Sequence, residues 1–135
     1  MAKPIALAKD IAFAFPNVCL TTVPGPAQVP IPYPSIAQLA DATPVSDTSK
    51  ELLVKGTHVL VEDSEVQETS GDEPADPASG VISGTQGGDA TFSGASQSVF
   101  YNGKGILRFA DQSSQNGGNA NGTILSAEPS VLVGD

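Results

Sequence analysis

Any chemistry in this chain has to pass through very few side chains. His58 is the only histidine and Cys19 the only cysteine. A single histidine would have to serve every Ser/His/Asp arrangement, and no nucleophile elbow stands near it. His58 reads as a strand residue flanking a turn. Cys19 lies between Val18 and Leu20. A reactive thiol needs a cation or a helix N-terminus beside it, and none is adjacent in sequence, so Cys19 reads as a buried structural thiol. The carboxylates gather in two groups: Glu62, Asp63 and Glu65, and then Asp72 with Glu73. Paired carboxylates can do general acid/base work or bind calcium. Neither group has the spacing of a calcium loop, and both read as solvated acidic segments. Asp72 also suits the cap of a turn after Gly71. "GKGILR" sets glycines beside Lys104, but without Walker spacing or a following helix.

The elements that must position these residues are short and extended. The chain has 135 residues, enough for one domain (1–135) with a modest core. Gly (14) and Pro (11) are frequent, which argues for turns and short strands over long helices. Five Phe, two Tyr and no Trp make a thin core, so the fold is expected to borrow stability from a partner surface or a tight wrap. Six basic against 15 acidic residues give a net charge of −9. That balance excludes a nucleic-acid partner, which needs cations to displace counterions, and disfavours an anionic membrane surface. Lys9, Asp10 and Pro16 interrupt the apolar start, so neither a signal peptide nor a membrane anchor is expected.

Residues 1–22 read as an N-terminal extended arm, with "IAFAFPNVCL" in strand-like alternation. Residues 23–34 carry Pro24, Pro26, Pro30, Pro32 and Pro34. This segment can be neither helix nor central strand and is expected to run as stiff polyproline-like backbone. Val29, Ile31 and Tyr33 alternate with its prolines along one edge. "SIAQLADA" (35–42) suits one or two helical turns with Ser35 as N-cap. From residue 49 to 135 the pattern becomes a series of hairpins. "SKELLVKGTHVLVED" is strand, Lys55-Gly56 turn, strand, and "SQSVFYNGKGILRFAD" repeats it around Asn102-Gly103. Aligning the turns sets Leu52, Leu53 and Val54 against Val99, Phe100 and Tyr101, and Val59 and Leu60 against Ile106 and Leu107. "SAEPSVLVGD" repeats the first half once more through Val131, Leu132 and Val133. The whole reads as an internal pseudo-repeat of β-hairpins, and the fold class as mainly β.

These segments resemble, in order, the PAAR-like domain family of spike-tip proteins in type VI secretion and related contractile injection systems. "FPNVCLT" is similar to its opening motif and "VPIPYPSIA" to its proline signature. "SDTSK" and "SGDEPADPASGVISGT" are similar to its central section, and "SVFYNGKGILRFAD" and "QNGGNANGTILSAEPSVLVGD" to its closing hairpin and tail. The likeness runs from about Phe15 to Val133. It implies a small conical, three-sided β-structure whose base docks on a trimeric spike of the valine-glycine-repeat (VgrG) type, one cap per trimer. Many members of the wider family bind zinc near the apex through three histidines and one cysteine. With His58 and Cys19 as its whole supply, this chain cannot build that set, and Asn, Gln or Gly stand in places such as "QNGGNANG". A mixed site with Asp or Glu stays chemically open, but no cofactor is expected, and apex order then has to come from hydrogen bonds and turns.

The resemblance therefore implies a non-enzymatic cap that sharpens the spike and helps it penetrate a target envelope. It would be assembled in the bacterial cytoplasm and then injected with the spike. Pro30, Ile31, Pro32, Tyr33 and Pro34, with Leu52, Val54, Val99, Tyr101, Val131 and Val133, are the expected core and spike-facing residues. An adaptor that loads a separate toxin through loops 70–80 or 113–122 is the second reading. A secreted hydrolase built on the acidic groups is the third, and it requires a carboxylate-lined pocket.

Overall fold

The computed structural model describes residues 2–25, 27–45, 53–101 and 103–134. Its strands are β1 (Lys3–Ile5), β2 (Ile11–Val23), β3 (Ala27–Gln38), β4 (Ala42–Val45), β5 (Leu53–Val54), β6 (Thr57–His58) and β7 (Leu60–Val66). They continue with β8 (Thr91–Phe92), β9 (Phe100–Tyr101), β10 (Lys104–Gly105), β11 (Gln112–Gln115), β12 (Ala120–Ile124) and β13 (Glu128–Val133). The fold is mainly β, in keeping with a glycine and proline content that disfavours long helices.

Three similar hairpins build one end of the molecule. β5 pairs with β6, with Val54 opposite Thr57. β9 pairs with β10, with Tyr101 opposite Lys104. β13 pairs with β1, with Val133 opposite Lys3. The third pair is thus hairpin-like without a connecting turn, since its strands are the first and the last of the described elements. Lys55 and Gly56 both have positive φ, 51° and 76°, as a tight two-residue hairpin turn demands. Gly103 does the same at 77°; its neighbour Asn102 and the predicted core residue Leu52 lie outside the described residues.

Each hairpin feeds a short segment, and the three segments close on one another. Leu7 bridges Val59, Val61 bridges Ile106, and Arg108 bridges Ile5. In each segment the first residue meets one neighbour and the third meets the other, so the ring has pseudo-threefold symmetry. A short polar side chain three residues beyond the last residue of each segment then bonds back to it. Asp10 accepts the Leu7 N–H at 2.9 Å, Ser64 the Val61 N–H at 3.1 Å, and Asp111 the Arg108 N–H at 2.8 Å. The side chains alternate across the ring. Ala6, Leu60 and Leu107 point to one core cluster, shared with Ala12, Ala37, Leu39 and Ile124. Ile5, Leu7, Val59 and Ile106 point to the other with Val133, and Val54, Tyr101 and Val131 pack against it.

Beyond the ring stands a five-stranded antiparallel sheet in the order β3-β2-β12-β11-β8. β3 is its edge, and the prolines sit there for a stated reason. A proline cannot donate to a ladder, so Pro30, Pro32 and Pro34 must face away from β2. Ile36, of the same parity, confirms the direction: it exchanges both backbone bonds with Ser70 on the outer side, at 2.8 and 2.9 Å. Over residues 30–34 the free edge thereby lacks N–H donors, which disfavours edge-to-edge pairing there.

Several expectations need correction. The proline segment is a paired edge strand and not a free polyproline run. Of the residues expected in the core or on the spike-facing base, Pro30 and Pro32 are exposed and none of residues 30–34 joins either core cluster, so only the core half of that expectation fails for them. Val99 is also exposed. Residues 35–38 continue β3 instead of starting a helix; only a single 3-10 turn follows, at Leu39–Asp41. Pairing of residues 35–38 with Ile11, Ala12, Phe13 and Ala14 overrides local helix propensity and buries Ala37. The N-terminal arm is divided: residues 5–7 belong to the ring, and β2 starts only at Ile11.

Candidate functional site

Two places in the molecule concentrate unusual features. The first is the ring end. Phe100 and Leu132 hold the same register position in their hairpins, and they are 55% and 61% exposed. They stand on β9 and β13, each of which belongs to a two-stranded sheet among the described residues. Lysines stitch the three hairpin walls in a cycle. Lys55 of the first wall reaches Glu128 of the third at 3.2 Å, and Lys3 of the third reaches Asp111 of the second at 3.6 Å. Lys104 of the second pairs with Asp63 of the first. Hydrogen bonds from Ser130, then the Lys55 ammonium, hold the Glu128 carboxyl down at about 2. Arg108 is buried in the ring and clamped by Asp111 at 3.0 Å.

The second is a buried polar cluster around Cys19. Asn17 donates to Asp72 Oδ2 at 2.9 Å. Its Oδ1 accepts from Asn116 Nδ2 at 2.9 Å and from Asn119 Nδ2 at 2.6 Å. Backbone partners fix how each amide is turned. Asn116 Nδ2 donates to the Thr85 carbonyl at 3.0 Å while its Oδ1 accepts the Gly88 N–H at 2.8 Å. Asn119 Nδ2 donates to the Val18 carbonyl at 2.9 Å while its Oδ1 accepts the Ile82 N–H at 2.8 Å. Asp72 also accepts the Gly87 N–H at 3.0 Å. Burial, then the Asp72 carboxylate, push the Cys19 thiol up.

This cluster does not fit the zinc that the wider family's ligand set implies. Two amide N–H₂ groups are aimed into it, where a cation needs lone pairs. Among the described residues no three His, Cys, Asp or Glu side chains gather as a ligand group. His58 lies elsewhere, half-buried on β6, its carbonyl accepting the Ala8 N–H at 2.9 Å.

Of the sequence-predicted residues, Val54, Tyr101, Val131 and Val133 are brought together beneath the ring. Ile31, Tyr33 and the three prolines lie on β3, where Tyr33 Oη shares a 2.7 Å bond with Thr21 Oγ1. The acidic groups are divided by their partners. Asp63 is tied to Lys104, and Asp89 bonds to Glu65 and raises its carboxyl. Asp72, read as part of a solvated loop, is buried in the cluster. A groove lined by Glu68, Thr69, Asp72, Glu73, Gln86 and Gly87 does exist, but its Asp72 Oδ2 is already engaged by Asn17 and Gly87. Sequence reasoning missed Asn17, Asp72, Asn116 and Asn119 as one unit.

The model of the toxin PAAR-like domain family matches residues 10–122. The chain belongs to that family. A curated relative, the DNase toxin Tse7 of Pseudomonas aeruginosa, is 33% identical over 113 residues. That stretch covers 80% of this chain and 28% of the relative, so the PAAR-like chain spans little more than a quarter of the length of the toxin it matches. No solved structure matches. The family match covers the sheet up to the middle of β12 and the first two walls of the ring; β1 and β13, which close the third, lie outside it.

Proposed function

We propose that this PAAR-like chain caps the open end of a trimeric VgrG-type spike in a contractile injection machine, one cap per trimer. The observation that carries the reading is the closed ring of three equivalent bridges, Leu7 to Val59, Val61 to Ile106 and Arg108 to Ile5. A three-chain β-helical needle ends in three unpaired strand edges, which invite aggregation unless covered. A single chain with threefold-like walls offers each edge a similar partner by strand addition. Among the described residues β9 and β13 each pair with one strand, and exposed Phe100 and Leu132 supply apolar contact beside them. In this reading the chain acts mechanically, catalyses no reaction itself, and leaves the cell with the spike it sharpens.

The matched region of Tse7 supports a second, compatible role. There a PAAR-like stretch accompanies a protein named as a DNase toxin, so delivery of a toxin with this tip is the natural extension, whether fused or bound. Co-expression with the cognate spike tests the docking face. Phe100→Asp with Leu132→Asp is expected to abolish co-purification while leaving the thermal melt of the free chain within a few degrees. Undiminished capture of the folded double variant would place docking elsewhere.

A further inference from the structure

The geometry points to a metal-free node: Asn17, Asn116 and Asn119 stand around Cys19 where the ligands of a four-coordinate site would be, and Asn116 and Asn119 close it by both donating to Asn17 Oδ1. The inference is independent of whether the chain binds a spike. From Cys19 Sγ, Asn17 Oδ1 lies at 3.6 Å, Asn116 Nδ2 at 3.8 Å and Asn119 Nδ2 at 3.9 Å. A tetrahedral zinc with sulfur at ~2.3 Å and nitrogen at ~2.0–2.1 Å sets its thiolate about 3.6 Å from each nitrogen. The thiol-to-amide spacings are close to that. The amide-to-amide spacings are not. Two nitrogens on one such zinc stand about 3.3 Å apart, whereas Asn17 Oδ1 is 2.9 Å from Asn116 Nδ2 and 2.6 Å from Asn119 Nδ2. These are ordinary hydrogen bonds, and no ion fits between their ends.

Each of the six amide N and O atoms has a hydrogen-bond partner without a cation. Asn17 gives one N–H to Asp72 and takes two from its partner amides. The remaining amide atoms are used by backbone groups at Val18, Ile82, Thr85 and Gly88. Asp72 adds the Gly87 N–H, and Gln86 Nε2 bonds the carbonyls of Asp72 and Ala75 at 3.0 and 2.7 Å. The node therefore ties β2, the 72–75 turn, the 81–88 segment and the 116–119 turn, which are far apart in sequence. A metal would fasten the same strands through four ligands; here neutral amides and one carboxylate do so. The consequence is a fold end whose order is insensitive to chelation and to metal supply.

The test uses the purified full chain. Elemental analysis is expected to find zinc far below one per chain, and EDTA, or zinc added alone, is expected to leave the urea midpoint unchanged. Cys19→Ser is expected to lose little, because the thiol is only a weak partner of the amides. Asn17→Ala is expected to lower the midpoint strongly or to abolish folding. Stoichiometric zinc, or a midpoint that falls in EDTA and recovers with zinc, would overturn the inference. So would a Cys19→Ser variant as unstable as Asn17→Ala, since a hydrogen-bonded node centres on the amide and a metal centres on the thiolate.

Discussion

Leu60 and Leu107 occupy equivalent positions in two walls of the ring, and both are fully buried in the same cluster. The Leu107 N–H also donates to the Leu60 carbonyl at 3.1 Å. If the ring is a true pseudo-repeat, truncating either leucine has to cost nearly the same. Leu→Ala removes about three buried carbon groups at ~0.8 kcal/mol each, roughly 2.4 kcal/mol, and the cavity left behind raises this to about 3–4 kcal/mol. A chain of this size has on the order of 10 kcal/mol of stability, so each variant still folds. With a urea slope of about 2 kcal/mol per molar, each midpoint is expected to drop by roughly 2 M. The double variant is expected to depart from additivity, because the two side chains share one core. Equilibrium urea unfolding, followed by circular dichroism, reads all three. A cost below about 1 kcal/mol at either site, or a twofold disparity between them, would refute the equivalence of the walls.

Other outcomes follow from separate features. Gly122 lies where a Cβ would run into the Phe13 carbonyl of β2, with Ala14 Cα at 2.6 Å; Gly122→Ala is expected to cost about 1–3 kcal/mol in the same urea assay by forcing β12 from β2. Replacing Pro30 and Pro32 by Val restores two N–H donors on the exposed side of β3, and sedimentation is expected to show stronger concentration-dependent self-association than in the native chain. Glu128 has a folded pKa of about 2, below its ordinary value of 4.5. Its stabilising effect is therefore complete above the unfolded value and is lost as pH falls from there toward 2. Thermal melts across that window are expected to fall in the native chain and to flatten partly in Glu128→Gln.

Much of the ring end was legible because its signals are local. Lys55-Gly56 is a turn by residue type alone, and alternate apolar residues on both sides set the register. Aligning residues 52–54, 99–101 and 131–133 finds the equivalent strands, since Val54, Tyr101 and Val133 do hold matching pair positions. What could not be read is the cyclic order of the walls, because its bridges and ion pairs join residues as distant as Lys3 and Asp111. The node around Cys19 was hidden for the same reason. Asparagine is an ordinary loop residue, and Asn17 meets its partners 55 to 102 positions away. The prolines signalled an edge but not its location. Their period of two matches a strand with one side free, which only pairing with β2 distinguishes from isolated extended backbone. Residues 35–42 misled because Ile36, Ala37 and Leu39 suit one face of a helical turn as well as a strand end.

Native mass spectrometry of this chain co-expressed with its cognate spike protein puts the cap assignment to the most direct trial. The mass predicted is that of three spike chains carrying one copy of this chain. A folded spike trimer and a folded monomer that fly separately, or a complex holding three copies per trimer, would contradict it.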